Sequence, residues 1–122
     1  NSNDDFVKAL GDHKRGVGGS QVVPHPWNSA MPIVKEYQQA MRETGKTTFS
    51  YNSIEGFLCG KVIGEGLRRA TRNLTRVRFV DALESMGRYD VGGYEIGFSG
   101  TNHVGSRHVD LTVIDANGRF LR

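Results

Sequence analysis

The chain has 122 residues, which bounds it to one small domain. Apolar residues make up 37% and charged residues 24%, which excludes a disordered tract, and no stretch approaches the length of a transmembrane helix. The formal net charge is +3 with no run of five like charges, so a nucleic-acid-binding arm is not indicated.

In chain order, Asp4 and Asp5 precede Phe6, Val7 and Leu10, which share one face of a short predicted helix stopped by Gly11. Gly16, Gly18 and Gly19 form a loop, and Gln21-Val22-Val23-Pro24 reads as a short strand closed by proline. These glycines precede a strand, whereas phosphate-cradling turns follow one and open a helix, so they are not read as a phosphate site. His25 to Ser29 is a loop. Pro32 suits the first turn of a helix carrying Ile33, Tyr37, Ala40 and Met41, with Gly45 as its stop. The narrow apolar stripe predicts a one-sided, surface-lying helix.

The longest helix is predicted over about residues 54 to 70, with Ser53 as N-cap and Ile54, Leu58, Val62, Ile63 and Leu67 on its core face. Gly56, Gly60 and Gly64 recur on one side of it. Each costs roughly 1 kcal/mol against alanine in a helix interior, so the spacing predicts a close approach by a neighbouring helix or sheet. The single cysteine, Cys59, lies in this pattern and reads as a small core residue, with no intrachain disulfide to form. Arg68, Arg69, Arg72, Arg76 and Arg78 straddle the helix end, where cations suit the dipole.

Thr75 is expected to cap a further helix with Phe79, Val80, Leu83 and Met86 inward and Gly87 at its end. The tail then changes period. Tyr94 to Phe98 and His108 to Ile114 alternate as strands, Asp115-Ala116-Asn117-Gly118 is a turn, and Arg119-Phe120-Leu121 returns as a short strand. The whole is an α/β mixture.

Catalytic patterns are weak. No serine has a nucleophile-elbow context, and no pair of glutamates forms an acid–base couple. His103, His108 and Asp110 match no metal-ligand spacing and read as surface groups. No cofactor and no enzymatic step are expected.

Three segments together resemble the type I periplasmic binding proteins of the leucine/isoleucine/valine-binding class, the extracellular ligand-binding receptors of ABC transporters. They are Gly16-Val17 with Ser20-Gln21-Val22-Val23-Pro24 and Pro26; Val34-Lys35-Glu36-Tyr37 with Ser53, Glu55-Gly56-Phe57 and Leu67-Arg68-Arg69-Ala70; and Phe98-Ser99, His103, Gly105-Ser106, Val109, Leu111 and Asn117-Gly118-Arg119-Phe120. The resemblance covers nearly the whole chain, but only the last third or so of a full-length member. It implies an α/β partial type I fold, helices plus a C-terminal hairpin-like segment, within a hinged two-lobe clamp. Residues 1–24 would be the end of the second lobe and the hinge crossing, with Val23, Pro24 and Pro26 as hinge. Residues 25–92 would be first-lobe helices, and residues 93–122 the closing strands.

It further implies a non-catalytic, periplasmic substrate-binding component of an importer. Its partners would be an amino acid of branched-chain type or a small carboxylate, and an ABC permease. Tyr51, Asn52 and Ser53, with Glu55, are the residues placed toward the ligand; their plainer readings are packing, turn and cap. A ligand-sensing domain of the same fold is the first alternative, and an enzyme on another α/β fold the second. The polar, acidic start carries no signal peptide, which points to a cytosolic protein or to a mature or truncated product. The isolated chain is expected to expose apolar surface and self-associate.

Overall fold

The computed structural model describes residues 4–71 and 73–122. The expectations resting on Asn1 to Asn3 and on Arg72 lie outside the described residues. The order is α1 (Asp4–Ala9), a 3-10 turn (Gly11–Lys14), β1 (Gly18–Gln21), α2 (Pro32–Glu43), α3 (Tyr51–Ala70), α4 (Arg76–Glu84), β2 (Tyr89–Asp90), β3 (Glu95–Ile96), β4 (Asp110–Ile114) and β5 (Phe120–Leu121).

Two sheets organise these elements. One has the order β1-β4-β5, with both pairings antiparallel, and the other is the β2–β3 pair. Gln21 faces Asp110 across β1 and β4, and Ile114 faces Phe120 across β4 and β5. The first strand of the chain is thus tied to its last two, and only these long-range partners fix where β1 begins. The strand expected at Gln21 to Pro24 accordingly lies three residues earlier, and the chain bends away at Val22. β4 starts at Asp110, two residues after the expected His108, and Tyr94 to Phe98 contributes only the two residues of β3. Its partner β2 carries no sequence signal, since two residues show no period.

Local chemistry explains the helix ends. Pro32 opens α2, where its missing N–H is not needed. The Thr75 hydroxyl accepts from the Arg78 N–H at the start of α4. α3 starts earlier than expected: Ser50 is its N-cap, and Ser53 is the third helical residue of a reciprocal capping box. Each serine side chain satisfies the other residue's backbone N–H, at 3.2 Å in both directions.

One apolar cluster joins α2 (Ile33, Val34, Tyr37), α3 (Tyr51, Ile54, Leu58), the β2–β3 segment (Val91, Tyr94, Ile96), β4 (Ile114) and β5 (Phe120). α2 is one-sided as expected, with Tyr37 fully buried. The α3–α4 contact runs through Gly66, where a Cβ would sit 2.8 Å from the side chains of both Phe79 and Leu83. The expected close approach at Gly56, Gly60 and Gly64 does not occur within the chain: a Cβ at any of them meets nothing within 4 Å. Cys59 is exposed rather than a core residue. Val80 also points outward, while Ala82 and Met86 are buried near the end of α4.

Candidate functional site

The first turn of α3 lies beside β5, and Tyr51 joins the two. Its ring meets Phe120 edge-on at 5.2 Å, His25 at 5.8 Å and Trp27 at 6.3 Å. His25 is oriented by two contacts: Nδ1 accepts the Trp27 N–H at 3.4 Å, and Nε2 faces the Phe120 carbonyl at 3.3 Å. This pairing fits the neutral imidazole with its proton on Nε2. The phenol of Tyr51 is buried and has no hydrogen-bond partner among the described residues. Burial, with the Asp110 charge adding to it, pushes its pKa up to about 12, against a smaller opposing effect of Arg122.

A polar group sits next to this corner. Arg122 donates to Asp110 Oδ1 at 3.0 Å, and His108 Nε2 lies 3.4 Å from Asp110 Oδ2 without a hydrogen bond. The His108 ring packs edge-on against Tyr94, whose hydroxyl donates to the Val22 carbonyl at 3.0 Å. His103 instead contacts Glu84 at 2.9 Å, so the two histidines weighed as metal ligands serve different partners. Among the described residues, no three His, Cys, Asp or Glu side chains are placed to hold a metal ion.

The four residues singled out from the sequence divide. Tyr51 is buried in the aromatic corner, and Asn52 is exposed on the same first turn of α3. Ser53 is committed to the capping box, and its hydroxyl also meets that of Tyr37. Glu55 lies a turn further on, at the edge of an apolar groove of about 560 Å³ lined by Val23, Leu58, Val62, Ile96 and Phe98. Tyr51 and Asn52 therefore share a location, and Glu55 borders a separate surface.

Sequence reasoning read His25 and Trp27 only as loop. The structure places them against Tyr51, and a signal existed. From Gln21 through Val34, and again from Thr47 through Ile54, no Lys, Arg, Asp or Glu occurs. These are the two segments that meet at the corner.

The chain is thus an α/β unit whose first strand pairs with β4 and whose longest helix opens beside them. The chain belongs to the periplasmic binding protein family, whose model matches residues 3–119. Among solved structures it is similar to an extracellular ligand-binding receptor from Verminephrobacter eiseniae, at 31% identity and TM-score 0.80, covering 96% of this chain and 34% of that one. It is also similar to a possible leucine/isoleucine/valine-binding protein from Rhodopirellula baltica, at 30% identity and TM-score 0.84, covering 98% and 33%. A branched-chain amino acid ABC transporter protein from Thermus thermophilus with bound valine shares the fold at 18% identity and TM-score 0.75, covering 98% and 35%. No curated protein matches. The chain spans about a third of the length of the structures it matches, so what it holds is a partial type I fold.

Proposed function

We propose that this chain contributes one wall and part of the hinge to the solute-binding subunit of an ABC importer, a periplasmic protein without catalytic activity. The observation that carries this reading is the structural match over 98% of the chain to a possible leucine/isoleucine/valine-binding protein at TM-score 0.84. The ligand is an amino acid, of branched-chain type, or a similar small carboxylate, and the membrane partner is a permease. A ligand that bridges two lobes binds their closed arrangement better and shifts the population toward it, which is how such a clamp signals its load.

Within this reading, β1 paired with β4 is the strand crossing, with the buried Val23, Pro24 and Pro26 just beyond it as hinge. Tyr51 and Asn52, at the head of α3, face the ligand side, while Glu55, at the edge of the separate apolar groove, does not. Ser53 keeps its role in the cap. The same fold serving as the sensing domain of a receptor is the alternative.

The test is a thermal-shift and calorimetric panel of amino acids and small organic acids on the protein with both lobes present. A ligand at about a thousand times its Kd should stabilise by about 4 kcal/mol. A shift confined to branched-chain amino acids or carboxylates is the expected result. No shift with any member of the panel would defeat amino-acid binding.

A further inference from the structure

Residues 65–80 hold five arginines against one acid, Glu65, a net +4 in a chain whose formal net charge is +3. The positive excess of the protein therefore sits where α3 ends and α4 begins. The arginines divide by their surroundings. Arg68 and Arg69 lie in the last turn of α3, where cations suit the dipole, and both bond Glu65. Arg76 and Arg78 lie in the first turn of α4, which carries no acid, at the helix end where the dipole favours anions. Both are exposed, and among the described residues neither side chain has an ion-pair or hydrogen-bond partner. Helix stability does not account for them.

Exposed aliphatic side chains stand among these charges. Leu74, just before the Thr75 cap, is 54% exposed, and Val77, between the two arginines, is 68% exposed. Covering this face with uncharged polypeptide would bury two unpaired guanidiniums, which is costly. The face meets water or a surface that brings anions. Aliphatic groups interleaved with arginines fit the headgroup–acyl boundary of a bilayer, where the guanidiniums reach phosphates and the apolar groups enter the acyl edge. A nucleic acid offers phosphates but no apolar layer, and residues 73–78 include no aromatic ring to stack on bases.

We infer that the α3–α4 junction docks on anionic lipid membranes, with Arg76 and Arg78 on headgroup phosphates and Leu74 and Val77 at the acyl edge. Asp81, exposed one turn after Val77, marks the limit of this surface on α4. Tyr51 opens α3 at its other end, about 30 Å along a helix of 20 residues, so the surface is separate from the candidate ligand site.

Co-sedimentation of the chain with vesicles tests this, using phosphatidylcholine alone and phosphatidylcholine with about 30 mol% phosphatidylglycerol. Binding is expected only with the anionic lipid, at about 50 mM salt, and is released at about 500 mM. Arg76→Gln/Arg78→Gln is expected to weaken it about 5-fold per charge while melting no lower than the parent, since cations leave the positive end of a helix. Leu74→Ser/Val77→Ser is expected to weaken it about 10-fold. No binding to the anionic vesicles at low salt overturns the inference. So does full binding by Arg76→Gln/Arg78→Gln, which would place the contact elsewhere. Binding unmoved by Leu74→Ser/Val77→Ser, or matched in strength by a DNA duplex at the same salt, would mark a general polyanion surface and overturn it as well.

Discussion

Two ionisable side chains set opposite edges of the pH range. The Tyr51 phenol is held neutral, with its pKa pushed up to about 12 by burial and by the Asp110 charge. In the unfolded chain a tyrosine ionises near ~10, so between those values the unfolded state sheds a proton that the folded state keeps. The stability contributed by the neutral phenol is complete below ~10 and is lost as pH rises toward 12, by about 3 kcal/mol in all. Tyr51→Phe should remove that part of the alkaline loss, as seen in urea unfolding of both proteins across this range. At neutral pH the variant should be as stable as the parent or more so, because the hydroxyl it deletes has no partner among the described residues. A clear loss at neutral pH would mean that the hydroxyl is bonded after all. Glu65 works the other way. Arg68 donates to both its oxygens at 2.7 and 2.8 Å, Arg69 donates to Oε1 at 2.6 Å, and these bonds hold its pKa at about 2. Its contribution is present above the ordinary 4.5 and fades as pH falls toward 2. Glu65→Gln should flatten the acid limb of an unfolding-versus-pH curve over that window and leave the alkaline limb alone. Arg69 also reaches the Met86 carbonyl at 3.3 Å, so the same cluster ties the end of α3 to the turn after α4.

Glycines make the elements testable because their surroundings differ. A Cβ at Gly97 would lie 2.1 Å from the Gly87 carbonyl oxygen, a backbone atom that cannot turn aside. Gly97→Ala should therefore cost about 3 kcal/mol or more in denaturant unfolding, by prying β3 from the turn before β2. Gly60 sits in the interior of α3 with nothing within 4 Å of where a Cβ would be. Gly60→Ala should stabilise this chain by about 1 kcal/mol through helix propensity alone. The same change in a protein where another segment covers that face should reverse sign, so the pair of measurements reports whether the stripe is occupied. The stripe also shows where sequence reasoning stops. Pro32, Thr75 and the Asn117-Gly118 turn were legible because each acts on residues within a few positions of itself. β1 was read three residues late because its limits are set by β4, some ninety positions away. Ser53 was taken for Ser50 because both serines belong to one reciprocal box, and the apolar period begins only at Ile54. At the candidate site, Tyr51 was proposed through the family pattern. His25 and Trp27 were passed over because their role depends on meeting a helix start more than twenty residues onward.

The whole molecule exposes more surface than its mass warrants. A compact monomer of this size has an accessible surface of about 6500 Å², and this chain has 7895 Å². Much of the large apolar exposure falls on two faces. Val109 just before β4, Leu111 and Val113 in β4 and Leu121 in β5 make one face, with Leu111 at 78%, while Ile63 and Leu67 are exposed on α3. The alternation in β4 accounts for the first face: Asp110, Thr112 and Ile114 turn inward, leaving Leu111 and Val113 outward. Contiguous exposed apolar faces mark contact surfaces, and in the 122-residue chain they meet water or another copy. Sedimentation velocity of the chain should therefore show an average mass that rises with concentration. Leu111→Lys should lower that mass at fixed concentration and leave the unfolding midpoint nearly unchanged, since the side chain is already outside the core. Leu67→Lys supplies the comparison on the other face. If only one of the two variants restores a monomer, that face is the contact. If the parent chain stays monomeric at every concentration, neither apolar face drives association, and the excess surface reflects extended loops rather than missing neighbours.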